Sequence, residues 1–228
     1  MRDKTCGDGP RDTGSSPVRS TMVCVLLTAT IDPSSLCPFV KNRDVLRRVE
    51  EYTECLNWWL KTPFDIVFCE NSGYKIDFPA TPQLEVIQWK YEDATGLKRG
   101  RGYCEGLILE KAYQESKFLK KSNRHVKCSG RYTVSDLSFV SRDAFVVTRI
   151  PWDRYWVDSV AYCYDAEFFE YMRPRLVWIH ELQRAYFENC LKQAVDAAKA
   201  DGKKWECIDL GCLGRFGCFS YYKSISSV

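Results

Sequence analysis

The strongest constraint on folding lies in two short apolar runs and the segment between them. Val23-Cys24-Val25-Leu26-Leu27-Thr28 and Asp65-Ile66-Val67-Phe68-Cys69 are nearly continuous in apolar character. A strand with one wet face alternates, whereas a strand covered on both faces reads as an unbroken apolar run. Between them, after the break Asp32-Pro33-Ser34-Ser35, residues Val45, Val49, Tyr52, Leu56 and Trp59 recur at spacings of four and three. That spacing puts them on one helical face, and Pro63 marks the end. Strand, helix, strand with both strands buried calls for a sheet with helices on its two faces.

The rest of the chain keeps this rhythm. Leu84 to Trp89 alternates as a third strand. The loop Gly96-Leu97-Lys98-Arg99-Gly100-Arg101-Gly102 leads into a helix expected to reach about Lys121, with Cys104, Ile108, Ala112 and Leu119 inward. His125 to Cys128, Phe145 to Arg149 and Trp156 to Tyr164 read as further strands, and a long helix is expected over Ile179 to Ala200, stopped by Gly202. The expected fold is a single α/β domain over residues 22–228, with a mostly parallel or mixed sheet flanked by helices. In such sheets ligands bind at the carboxyl ends of the strands. Thr28 to Asp32, Glu70 to Tyr74, the Gly96 to Gly102 loop and Ser129 to Tyr132 should therefore meet at one crevice.

Length and composition agree: 228 residues suit one domain, and 45% hydrophobic with 28% charged residues is ordinary for a globular chain. A formal charge of +3 does not suggest a nucleic-acid partner. The 7 Trp, 13 Tyr and 12 Phe can fill a core, and flat aromatic faces also stack on pyranose rings. None of the 12 cysteines forms a C-x-x-C pair. Cys24, Cys69, Cys104, Cys128 and Cys190 fall where buried positions are expected, so they read as reduced thiols in a cytoplasmic protein. Cys207, Cys212 and Cys218 are the one cluster with a minor case for metal. The run Val23 to Ala29 is far too short to cross a bilayer.

Residues Met1 to Thr21 lack apolar periodicity. Thr13-Gly14-Ser15-Ser16-Pro17-Val18 can be encoded by ACA GGT TCG AGT CCT GTC, which reads as the T-arm of a transfer RNA gene. The expectation is a protein that begins at Met22; a disordered tail is the alternative.

The succession LLTATIDP, FDIVFCENSGY, KRGRGYCEGLILEKAYQESKFL and VKCSGRY, continuing through VDSVAYCYDAEFF and RAYFENCLKQAV, resembles a family of bacterial and viral glycosyltransferase-like proteins. These are associated with lipopolysaccharide and capsule assembly. The resemblance implies a GT-A type (nucleotide-diphospho-sugar transferase) fold, a nucleotide-sugar donor, and a glycan or lipid-linked acceptor. It also implies surface-polysaccharide biosynthesis as the setting, with peripheral membrane contact for a lipid-linked acceptor. Such a transferase must neutralise charge growing on the diphosphate leaving group. If inverting, it must also take a proton from the acceptor hydroxyl.

The usual device for the first task is a divalent cation on an Asp-x-Asp at a strand end. Here Ser129-Gly130-Arg131-Tyr132 stands in that place, and Asp165-Ala166-Glu167 instead opens a helix. No cofactor is therefore assigned, with Mn²⁺ or Mg²⁺ as the alternative, and charge neutralisation falls to Arg131, helped by Lys98, Arg99 or Arg101. Gly100 and Gly102 would let phosphate approach the helix N-terminus, and Glu105 reads as a capping or dipole residue. Thr28, Thr30, Asp32, Glu70, Asn71, Arg99, Arg101, Gly102, Tyr132 and Arg215 form the candidate donor site. For Glu70 and Asn71 the plain reading is an Asn-Ser-Gly turn. Glu188 is the first candidate for the base and Asp158 the second, and either can instead be a structural partner of an arginine. The competing functional class is a transferase-like fold that binds nucleotide or glycan without turnover. His125 and His180 are read as non-catalytic.

Overall fold

In the computed structural model, residues 22–149, 157–208 and 212–213 are described. The elements follow as β1 (Val23–Ala29), α1 (Val45–Trp59), β2 (Asp65–Glu70), β3 (Leu84–Gln88), α2 (Ala94–Leu97), α3 (Arg101–Glu115), α4 (Lys117–Lys121) and β4 (Arg124–Ser129). After these come β5 (Thr133–Val134), β6 (Val146–Arg149), β7 (Ala161–Asp165), α5 (Phe168–Leu176), α6 (Phe187–Ala200), β8 (Trp205–Ile208) and β9 (Cys212–Leu213). Seven strands form one sheet in the order β3-β2-β1-β4-β7-β6-β8. Only β7 runs against the others: β1, β2, β3 and β4 are mutually parallel, as are β6 and β8.

The central strands serve two cores because their side chains alternate between faces. Cys24 and Leu26 of β1, with Val67 and Cys69 of β2, pack under α3, α5 and α6. Val25 and Leu27, with Ile66 and Phe68, pack under α1 and the Phe139–Val140 turn. The continuous apolar runs are thus the mark of a sheet sandwiched between helices. The five cysteines expected in the core, Cys24, Cys69, Cys104, Cys128 and Cys190, are buried free thiols.

Several boundaries depart from expectation. The strand expected over Trp156 to Tyr164 is β7, which starts only at Ala161 and takes in Asp165, so Asp165-Ala166-Glu167 closes a strand and leads to α5 at Phe168 rather than opening the helix at Asp165. The helix toward Lys121 breaks at Ser116, which leaves helical geometry so that its Oγ can accept from the Leu119 N–H at 3.0 Å and donate to Glu85 at 2.5 Å. The same Glu85 carboxylate accepts from the Lys117 and Phe118 amides, so a carboxylate from β3 caps the restarted helix. The last helix begins at Phe187, not Ile179. His180 and Ala185 exchange backbone hydrogen bonds at 2.7 and 3.2 Å, Arg184 has φ 60°, and the chain turns tightly before the helix starts. Finally, β8 extends the sheet beside β6 where no strand is expected, because Trp205 and Cys207 lack the apolar flanks of the central strands.

Candidate functional site

A cleft of about 1250 Å³ opens at the carboxyl ends of β1, β2 and β4. Its walls are the loop after β1, the inner side of α1, the first turns of α3 and α6, and residues 158–160 before β7. Of the candidate residues, Thr28, Thr30, Asp32, Asn71, Arg101, Gly102, Arg131, Tyr132, Asp158 and Glu188 line it together. Glu70 and Arg99 do not, and Arg215 lies outside the described residues.

The wall after β1 is held by side chains that the sequence leaves unassigned. Arg48 of α1 donates from Nε to the carbonyls of Thr30 and Ile31, each at 3.0 Å, and from Nη1 to Asn42 at 3.1 Å. Arg43 donates to the Ser34 and Cys37 carbonyls, both at 2.7 Å. Glu70, with no exposed surface, accepts from the amides of Ile31, Ser72 and Gly73 at 3.0, 2.8 and 3.0 Å and from the Ser72 hydroxyl. Burial pushes its carboxyl above the usual range, and those hydrogen bonds pull against the rise. Glu70 therefore shapes two cleft loops from behind. Beside it, Thr30 Oγ1 donates to Asn71 Oδ1 at 2.6 Å, joining the ends of β1 and β2.

The N-terminus of α3, expected to receive phosphate, is filled from within the protein. Glu181 accepts from the Arg101 and Gly102 amides at 3.1 and 3.0 Å. Gly100 has φ 113°, and a Cβ there would run into the Glu181 carboxylate. A Cβ at Gly102 would lie 3.2 Å from both Glu181 and Phe187. These glycines admit a carboxylate rather than a phosphate, because a buried acid satisfies the orphan N–H groups and the helix dipole just as well. Arg99 is also committed elsewhere: its guanidinium donates to the carbonyls of Ile179 (3.0 Å) and Val177 and lies over the Tyr103 ring.

Of the charged side chains that line the cleft, four candidates bear on its chemistry. Arg101 is 67% exposed, with only a 3.7 Å approach to Glu181. Arg131 is anchored to Glu51 of α1 at 3.0 Å. Asp158 pairs with Arg149 at 3.0 Å and accepts from the Val160 amide at 2.7 Å, so both oxygens have protein partners. Glu188, half-buried at the start of α6, accepts from the Ser159 hydroxyl at 2.8 Å. Burial raises its pKa, while the hydrogen bonds from its own amide and from Ser159 oppose the shift.

Beneath Glu188 lies a pair that sequence reasoning missed. Lys127 of β4 has no exposed surface; its ammonium is bound to the Glu105 carboxylate and donates to the Ser159 carbonyl at 2.5 Å. Glu105 also accepts from Thr28 Oγ1 at 3.2 Å. Glu105 is therefore the counter-charge of a buried lysine, and the α3 cap comes from Glu181. The signal was present: a lysine between Val126 and Cys128, in a strand buried on both faces, requires an acid nearby. Among the described residues no group of three or more His, Cys, Asp or Glu converges as a metal site. Cys207 is exposed, and Cys218 lies outside the described residues.

The chain matches no protein family and no curated protein. Solved structures do align with it. One is named as a nucleotide-diphospho-sugar transferase of Desulfovibrio desulfuricans G20, with TM-score 0.45 and 12% identity over 83% of this chain and 80% of that one. Another is a glycosyltransferase involved in glycosylation of the major capsid of PBCV-1, with TM-score 0.46 and 11% identity over 82% of this chain and 81% of that one.

Proposed function

We propose that the protein transfers a sugar from a nucleotide-sugar donor to a hydroxyl of a glycan or lipid-linked acceptor, on the cytoplasmic side of a surface-polysaccharide pathway. The observation that carries this reading is the meeting, in one cleft at the strand ends, of a half-buried carboxylate (Glu188) with two guanidiniums (Arg101 and Arg131). The sequence resemblance supports it. In this reading Thr28, Thr30, Asp32, Asn71 and Tyr132 border the nucleoside. Arg101, the more exposed cation, and Arg131 face the diphosphate. Glu188 takes the proton of the acceptor hydroxyl as its oxygen bonds to the anomeric carbon. The bond from that carbon to the diphosphate breaks, the electron pair leaves with the diphosphate, and the two guanidiniums offset its charge. A carboxyl raised by burial is the stronger base for such a step.

Asp158 and Arg131 are each bound to a protein partner, and this favours a second reading in which the cleft holds a nucleotide or glycan without turnover. Thermal-shift measurements with nucleoside diphosphates and nucleotide sugars, with and without Mn²⁺, test the donor site. A ligand at about a hundred times its Kd adds about 2.7 kcal/mol. A shift that Arg101→Ala abolishes is expected, whereas no shift with any nucleotide or nucleotide sugar overturns the transferase reading and leaves the second reading only its glycan form. Hydrolysis or transfer by the wild type, absent in Glu188→Gln with ligand binding retained, then separates the enzyme from the binder.

A further inference from the structure

The turn between α5 and α6 exposes three large apolar side chains within six residues: Val177 at 60%, Trp178 at 73% and Leu182 at 59%. Single exposed apolar residues are ordinary, but a cluster on one turn is not. The turn does not present them by being loose. His180 and Ala185 close it with two backbone bonds, the Gln183 amide donates to His180 O at 2.9 Å and Arg184 to Glu181 O at 3.0 Å. The Glu181 amide donates to Arg99 O at 2.7 Å, and Ile179 is fully buried beneath. Trp178 and Leu182 are therefore held outward on a rigid backbone.

Around them lie three arginines with no carboxylate partner among the described residues. Arg99 bonds only carbonyls, Arg175 donates to the Tyr171 carbonyl, and exposed Arg184 sits at the end of the turn. The acid within the turn, Glu181, is buried and faces α3. Glu170 and Glu110 lie by Arg173 instead. An apolar wedge with a tryptophan, ringed by uncompensated guanidiniums, has the chemistry of an interfacial anchor: the indole enters the headgroup boundary while the cations meet anionic lipid. A second copy of the chain suits it less well. Even at roughly 150–250 Å² for an aromatic side chain, three residues fall short of the roughly 800 Å² per partner of a standard protein interface.

We propose that Val177, Trp178 and Leu182, with Arg99, Arg175 and Arg184, dock the protein on an anionic lipid bilayer. The turn adjoins the cleft through Glu181, which lines it, so the docked turn lies next to the cleft. The proposal stands whether or not the cleft performs sugar transfer.

The test is co-sedimentation of the full chain with vesicles of mixed phosphatidylglycerol and phosphatidylcholine, and with phosphatidylcholine alone, at low and high salt. Partition onto the anionic vesicles, weakened by salt, is expected. Trp178→Ser with Leu182→Ser should reduce it about tenfold or more, since the apolar contact is lost. Arg175→Gln and Arg184→Gln should each reduce it about fivefold. All four positions are on the turn or its flank, and circular dichroism of each variant checks the fold. Trp178→Phe supplies an independent readout: it should still partition but lose most of the fluorescence quenching by brominated lipid seen with the wild type. Wild-type protein that stays in solution with both vesicle types overturns the proposal and turns attention to an acidic protein partner. Variants that sediment like the wild type overturn it equally, because binding then resides elsewhere.

Discussion

At Glu188 the cost of partial burial becomes a usable chemical property. Its carboxyl is raised by desolvation, so the ionised form that can accept a proton is lost as pH falls through that raised value. Turnover should therefore show an acid limb above the range of a free glutamate. In Glu188→Gln it should drop by about 10²–10⁴-fold with donor binding retained, as rate and binding assays would measure. The Lys127–Glu105 pair makes a different prediction. Glu105→Gln strands a fully buried ammonium and should cost about 3–5 kcal/mol in urea unfolding. Lys127→Met leaves a carboxylate whose side chain is 20% exposed and can meet cleft water, so it should cost distinctly less. Equal losses would show that partial exposure does not spare the Glu105 carboxylate. The residue types at this site were readable in the sequence: Glu188, Arg131 and Asp158 all reach the cleft wall. Their partners were not, because Glu51, Arg149 and Ser159 approach them only through folding.

At the scale of elements, some ends are set by local caps, such as Asp44 before α1, and others by side chains supplied from elsewhere in the chain. Glu181 caps α3, Glu85 caps α4, and Glu70 and Arg48 shape the loop after β1. Gly100→Ala places a Cβ against Glu181 at a φ of 113°, which L residues rarely adopt. It should cost about 1–3 kcal/mol, read as a lowered urea midpoint, with added amide exchange in the first turn of α3. An unchanged midpoint would mean that Glu181 does not hold that turn. Helix faces, with their spacing of three and four, were legible in α1, and Gly202 marked the end of α6 at Ala200, but the break at Ser116 and the start of α6 at Phe187 were not. A break such as Ser116 depends on Glu85, which lies 31 positions away in the chain.

For the molecule as a whole, the sheet buried on both faces sets the response to acid. His125 of β4 hydrogen-bonds Tyr113 through Nδ1 at 2.7 Å, and burial pushes its pKa down to about 4. The unfolded chain takes up this proton near pH 6.5 and the folded one only near 4, so this contribution is complete above about pH 6.5. It is lost between about pH 6.5 and 4, amounting to about 3 kcal/mol at its full extent. His125→Gln should flatten the stability–pH curve in that window, measured by urea unfolding at several pH values. A persisting slope would assign it to other groups. The α/β class follows from the sequence because burial on two faces writes itself into local apolar runs, and a helix face into local spacing. The placement of β7 against its neighbours, the acid that fills the α3 N-terminus and the acid that answers Lys127 depend on approaches between distant segments. Periodicity carries no record of those approaches, so only packing in three dimensions settled which charges face the cleft and which hold its walls.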